Sequence, residues 1–217
     1  DIISHSFYKF NEQNKKMTIH LESEIFNRPL ETQMHLLGKM QAQNAAQAAI
    51  TVKKIFPNLD EEIIERGLAK ARLPGRFEII EKLPGYQGLP AVILDGAHTL
   101  NSVKLTIDTF NKLYGEKKVN LLFACAADKD VEDIAKIFKY RFEHIYITRP
   151  GEKKESNLEK EIQAFKDAEL KFTADPDFKK MIKTAFEDSA KNASLLLITG
   201  SFYLIAEAKS FIDKLSE

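Results

Sequence analysis

An aspartate and a histidine three residues apart, in Asp95-Gly96-Ala97-His98, follow directly on the apolar run Ala91–Leu94. A carboxylate and an imidazole at the point where a buried strand turns into a helix lie where open α/β sheets bind ligands. Gly96 between them allows another group to approach the backbone closely. A second strand-like run, Phe77–Leu83, precedes this one across a loop rich in Gly and Pro, and Arg76 stands at its start. Two further runs end in the same manner, LLFACAA in Asp128-Lys129-Asp130 and LLLIT in Gly200-Ser201. If these strands are parallel, all three groups line one rim of a sheet. Helix capping is the competing explanation, since Asp95, Asp130 and Ser201 are all good cap residues and a cap needs no ligand. For Asp128–Asp130 the two explanations stand level, whereas for Asp95 with His98 the intervening glycine favours a functional role.

Other chemistries find little support. The five histidines, His5, His20, His35, His98 and His144, include no pair spaced three or four apart, and the single cysteine is not near one, so no zinc site is expected. Cys125 falls inside an apolar run and reads as inert core. No G-x-S-x-G occurs, and Ser201 is not in a nucleophile elbow. No G-x-G-x-x-G follows any strand-like run, which argues against a Rossmann oxidoreductase. No G-x-x-x-x-G-K-[ST] phosphate loop occurs either, so the chain is not expected to turn over ATP alone.

The elements that must position these residues follow from periodicity. Residues 1–36 carry short β-leaning runs, SHSFYKF, KMTIHLES and QMHLLG, and look thin in core residues. An Ala-rich helix is predicted over Gln41–Ile55, and a second over Asp60–Ala71 with Asp60 as cap and Ile63, Ile64 and Leu68 on one face. From Leu73 on the pattern becomes regular. The runs Phe77–Leu83 and Ala91–Leu94 should pair antiparallel. Helices are then predicted near Ser102–Tyr114, Val131–Phe142, Leu158–Lys166, from Pro176, and over Phe202–Leu215. They alternate with strands in NLLFACA, HIYIT, Leu170–Thr173 and SLLLIT. Such alternation indicates right-handed βαβ units, and the continuous apolar runs fit buried parallel strands. The fold class is therefore α/β, a Rossmann-like three-layer domain with a mostly parallel six-stranded sheet. Two parts are expected, 1–72 and 73–217.

Composition narrows the partners. The 32 basic and 32 acidic residues cancel, which gives no electrostatic case for nucleic acid or an anionic membrane. No apolar run reaches the ~18 residues of a spanning helix, and residues 1–10 lack a signal peptide's pattern. One cysteine fits a reducing, cytoplasmic setting. The opening Asp1 suggests a piece cut from a longer chain, although processing would also account for it.

Five markers in order, Gly38–Ala45, Pro74-Gly75-Arg76-Phe77-Glu78, Leu94–His98, Asp128-Lys129-Asp130 and Leu196–Leu204 (LLITGSFYL), resemble the folylpolyglutamate/dihydrofolate synthases of the Mur ligase superfamily. The resemblance covers Gly38 to the C-terminus. It implies that 73–217 is the C-terminal domain of such an enzyme and that 1–72 is the tail end of its central ATPase domain. It implies an ATP-dependent ligase that joins glutamate to a folate or dihydropteroate carboxylate, using ATP and Mg2+ with the metal ligands outside this chain, and working as a monomer. By the same resemblance Arg76 reaches the ATP phosphates, Asp95 binds ribose or nearby nucleotide groups, His98 sits beside them, and Asn44 meets adenine. Arg76 and His98 are the catalytic candidates. Ser201, at a helix N-terminus suited to a carboxylate, and Asp128 are substrate candidates. Two positions depart from the family pattern: Thr99-Leu100 stands where Asn-Pro is usual, bearing on the turn that sets His98, and Met40 replaces a histidine. Another Mur-type amino-acid ligase and a non-catalytic nucleotide-binding module remain the alternatives.

Overall fold

The computed structural model describes residues 5–11, 13–139 and 141–215. Its contacts divide the chain into two compact units, one of residues up to Pro74 with Asp108–Gly115, the other of Gly75–Ile107 with residues from Glu116 on.

The first unit holds an antiparallel sheet of β1 (His5–Asn11), β2 (Lys16–Glu22) and β3 (Leu30–Met34), in that order, followed by α1 (Lys39–Ile55) and α2 (Glu61–Lys70). Strict alternation along β2 buries Met17, Ile19 and Leu21 and turns their neighbours outward. Leu30 and Met34 of β3 are buried as well, so this piece carries more core than its polar composition suggests. The third strand begins upstream of the QMHLLG run and takes in only its Gln33 and Met34, while Leu36 and Leu37 are buried in the turn before α1 instead. Asp60 caps α2 by accepting from the Glu62 N–H. Of the expected apolar face of α2, Ile64 is buried but Ile63 is exposed, because the helix turns Glu61 inward. There Lys53 and Glu61 form a buried ion pair at 2.8 Å, completed by the Leu59 carbonyl on the Lys53 ammonium and by the Asn27 N–H on Glu61. The Lys53 ammonium holds the Glu61 carboxyl down at about 2.

The second unit is a six-stranded sheet, order β4-β5-β9-β6-β7-β8, comprising β4 (Glu78–Ile80), β5 (Val92–Asp95), β6 (Val119–Phe123), β7 (Ile145–Ile147), β8 (Phe172–Ala174) and β9 (Leu195–Thr199). Only β4 runs antiparallel to its neighbour. The central strands β5, β9 and β6 are buried along their whole length, as their largely apolar sequences require, and Asn120 inside β6 donates to the Ser189 hydroxyl at 3.0 Å. On one face Val92, Leu94, Leu122, Leu196 and Ile198 pack with α6 (Phe178–Lys191) and α7 (Phe202–Asp213). The opposite side of β6 carries Phe123, whose ring meets Phe138 and Phe165. Phe165 belongs to α5 (Leu158–Asp167). The helix α4 (Val131–Ile137) stops well short of Phe142: Phe138 is its C-cap, buried against these rings, and the chain turns there toward β7. Pro176 lies outside its helix, which Asp177 caps by accepting from the Lys180 N–H. The remaining helix, α3 (Leu100–Tyr114), buries Val103, Ile107, Phe110 and Tyr114 along the expected stripe.

Cys125 is buried just past the end of β6 rather than within it. Facing it is Glu161 of α5, 1% exposed, with neither carboxyl oxygen reaching a hydrogen-bond partner among the described residues. Burial pushes the Glu161 carboxyl up to about 8, against a smaller opposing influence of the Cys125 N–H and thiol in front of it, and burial together with this neighbour pushes the Cys125 thiol up. Native Glu161 therefore keeps its proton where the unfolded carboxyl, near 4.5, has lost it. Stability from this group is fully present below that unfolded value and declines as pH rises through about 8. Glu161→Gln is expected to gain on the wild type by up to a few kcal/mol as pH rises from about 5 to 8, read from urea midpoints at each pH; a constant difference across that range would contradict it.

Candidate functional site

The rim at the carboxyl ends of β5 and β9 is laced together by backbone bonds. Parallel pairing sets Asp95 opposite Thr199, and the Gly200 N–H donates to the Ala97 carbonyl at 2.9 Å. The Thr199 hydroxyl donates to the same carbonyl at 3.3 Å. Gly200 adopts φ +102, and a Cβ there would lie 2.3 Å from the Ala124 carbonyl oxygen, so only glycine allows β9 to pass the end of β6.

The Pro74–Glu78 turn is tied to the same rim. The Gly96 N–H donates to the Gly75 carbonyl at 2.8 Å, and the Phe77 N–H donates to Oδ2 of Asp95 at 2.9 Å. The other Asp95 oxygen accepts from the Ala97 N–H at 2.8 Å. Asp95 is thus not a helix cap: it is 9% exposed and clamps two loops. Burial raises its carboxyl above the usual range, opposed by the Ala97 and Phe77 N–H groups, the Thr106 hydroxyl and the Arg76 charge. Phe77 holds φ +45, an uncommon conformation for a bulky residue, with its side chain buried. Glu78 completes the turn, accepting from the Gly75 N–H at 2.8 Å and pairing with Lys209 of α7.

This turn projects Arg76. Its guanidinium lies 4.5 Å over the ring of Phe202, and no ion pair or hydrogen bond to it is found among the described residues. The ring of His98 meets Phe202 edge-on at 6.5 Å. His98 Nδ1 is 2.9 Å from the Gly96 carbonyl. A carbonyl can only accept, so Nδ1 donates, and in the neutral imidazole Nε2 is left as an acceptor. The turn after His98 is set by a reciprocal capping box. The Thr99 Oγ1 accepts from the Ser102 N–H at 3.3 Å, and the Ser102 Oγ accepts from the Thr99 and His98 N–H groups at 3.0 and 3.1 Å. Thr99-Leu100 therefore supplies a sound helix start in place of Asn-Pro.

The other expected residues fare unequally. Ser201 is buried and caps α7, its Oγ accepting from the Tyr203 N–H at 3.2 Å. Asp130 occupies the cap position of α4 but makes no side-chain cap bond. Asp128 is exposed and pairs with Lys129 at 2.9 Å, which lowers its carboxyl, and no contact joins it to the Arg76 group among the described residues. Asn44 belongs to the first unit, on α1, where its amide donates weakly to Gln41 at 3.4 Å. It lines a pocket of about 610 Å³ with Phe7, Tyr8, Met40 and Gln47. Phe202 and Glu78 fall within the family markers but were assigned no role there, and the partner of Glu78 is 131 residues away.

Residues 75–202 match the model of the Mur ligase glutamate ligase domain, and the chain belongs to that family. Among curated relatives it is 27% identical to the dihydrofolate synthase/folylpolyglutamate synthase of Bacillus subtilis over 179 residues, covering 80% of this chain and 39% of the relative. It is 34% identical over 125 residues to a probable bifunctional folylpolyglutamate synthase/dihydropteroate synthase of Haloferax volcanii, covering 56% of this chain and 13% of that one. The chain thus spans well under half the length of these relatives. Among solved structures, the folylpolyglutamate synthase of Mycobacterium tuberculosis complexed with ADP superposes with TM-score 0.77 at 21% identity, over 96% of this chain and 48% of that one. FolC of E. coli in complex with DHPP and ADP gives 0.77 at 20%, over 99% and 47%. At such identities these two establish the fold. No helix of the described residues is long and apolar enough to cross a membrane.

Replacing Asp95 by Asn would turn an amide donor toward one of the two N–H groups that the carboxylate now receives. Asp95→Asn is expected to destabilise the second unit by about 1–3 kcal/mol, read from urea unfolding of this chain. Unchanged stability would show that the clamp contributes nothing.

Proposed function

We propose that this chain is the C-terminal portion of an ATP-dependent amide ligase that adds glutamate to a folate or dihydropteroate carboxylate. The observation that carries the reading is the Arg76 guanidinium, held over the Phe202 ring beside Asp95 and His98 with no ion-pair partner among the described residues, within the family-matched region. In the proposed reaction the acceptor carboxylate takes the γ-phosphoryl group of ATP, releasing ADP. The glutamate amine then attacks the acyl phosphate, losing a proton and displacing inorganic phosphate. Transfer of a phosphoryl group demands fixed positive charge aimed at the moving oxygens, and an arginine without a competing carboxylate meets that demand.

The remaining roles belong to the same proposal. Asp95 fixes the turn that projects Arg76 and is assigned the ribose or nearby nucleotide groups. His98 presents Nε2 to the nucleotide. Asn44, in its pocket on the first unit, is assigned the adenine. Ser201 is assigned a substrate carboxylate through the free N–H groups at the start of α7. Asp128 is the weaker substrate candidate, being tied to Lys129. Mg2+ would neutralise phosphate charge; it is commonly held by one or two carboxylates with the phosphates themselves, and no cluster of three metal-ligating side chains is gathered among the described residues. The proposed setting is cytoplasmic, with small-molecule partners only and a monomeric enzyme.

A second reading has its own support. The chain is 28% identical over 171 residues to the UDP-N-acetylmuramoyl-L-alanyl-D-glutamate–2,6-diaminopimelate ligase of Aquifex aeolicus, so a muramoyl acceptor is the rival. Both readings are separated by measuring ADP release from the complete gene product with glutamate and dihydropteroate, with glutamate and tetrahydrofolate, or with a UDP-muramoyl peptide and diaminopimelate. Folate-dependent turnover that falls about 10²–10³-fold in Arg76→Ala is expected. Turnover only with the muramoyl acceptor would transfer the assignment to the rival. A folded, ATP-binding protein idle with all three would sink both.

A further inference from the structure

We infer that Phe202 is a positioning residue: its ring is the platform that holds the Arg76 guanidinium at the rim. The inference rests on the proposed assignment of Arg76 to the ATP phosphates. Phe202 is 38% exposed, so burial alone does not account for a large aromatic at this place. The chain beneath it instead leaves out a side chain to admit the ring. A Cβ on Gly96 would come within 2.4 Å of it, whereas one on Gly75 would meet Ile205 first, at 2.9 Å. The backbone beneath the ring is fixed too, because Phe202 is the first residue of α7 and follows directly on the Ser201 cap.

On this surface Arg76 lies at 4.5 Å, within the range of a cation–π contact, and among the described residues no carboxylate shares the guanidinium. The ring thus does for Arg76 what an ion pair would do, restricting its conformations, without neutralising its charge. His98 packs edge-on against the same ring at 6.5 Å, so one aromatic sets both candidate groups. A plain structural role, covering Gly96, would also fit the contacts, and the test must separate the two.

The experiment is a double-mutant cycle in the complete gene product, reading kcat and KM for ATP in the ligase assay. Phe202→Leu removes the ring but keeps an apolar side chain, whereas Phe202→Tyr keeps the ring. Expected is a loss of about five- to twentyfold in kcat/KM for Phe202→Leu, with Phe202→Tyr within about twofold of wild type. On an Arg76→Ala background, Phe202→Leu should add less than about twofold, since the ring acts through the arginine. Should Phe202→Leu not fold, Phe202→Met takes its place in the cycle. A full-sized additional loss on the Arg76→Ala background, or no loss from removing the ring, overturns the inference while leaving the ligase reading intact. An Arg76→Ala enzyme as active as wild type would instead overturn the phosphate assignment, and the positioning role with it.

Discussion

Asp95 is the point on which the rim is built. A carboxylate removed from water is costly unless hydrogen bonds replace the lost solvation. Here its two oxygens receive N–H groups from two different segments, Phe77 and Ala97. The consequence runs both ways. The carboxylate needs those donors to be buried, and the donors can only reach it if Phe77 takes a left-handed backbone and Gly75 and Gly96 come close enough for a 2.8 Å backbone bond. Once this is satisfied, Arg76 has no freedom at its Cα, and only its side chain remains to be placed.

Much of this was legible in the sequence, and the reasons for the remainder are physical. Largely apolar runs marked β5, β6 and β9 because strands buried on both faces leave little room for polar alternation. Helix stripes such as Val103, Ile107, Phe110 and Tyr114 followed from the 3.6-residue period. Asp60 as cap, the rim position of Asp95, His98 and Gly200, and the closeness of approach at Gly96 were all local signals. What escaped was set by partners distant in sequence. The end of α4 is decided by the Phe138 ring turning in to meet Phe123 and Phe165, not by any breaker. The inward face of α2 is decided by Lys53, which makes Glu61 rather than Ile63 the buried residue. Phe202 stood inside a family marker, but nothing local signals that its ring meets Arg76.

The two units solve burial differently. In the first, charge contributes: the Lys53–Glu61 pair is buried and bonded to the Leu59 carbonyl and the Asn27 N–H, and Arg28 reaches Glu65 through two bonds of 2.7 and 2.8 Å. The second unit relies on an apolar core around the central strands, and its buried carboxyls, Asp95 and Glu161, lack a cationic bonding partner. Asp95 is satisfied by backbone donors and Glu161 by keeping its proton. Neither consumes a lysine or an arginine, so the rim's basic side chain is left uncommitted.

That economy bears directly on Arg76. A guanidinium kept in place by a carboxylate would present little net charge to an incoming phosphate, and the ion pair would have to open before the ligand could use it. Resting on an aromatic face, the same group stays oriented while its charge and its five N–H donors remain available. The Asp95 carboxyl is near enough to feel the arginine, yet its own oxygens are already occupied by backbone. Charge at this edge of the sheet is therefore preserved by committing the nearby carboxyls elsewhere, Asp95 to backbone and Glu78 to Gly75 and Lys209, and a rim built in this way is suited to binding something more negative than the protein itself supplies.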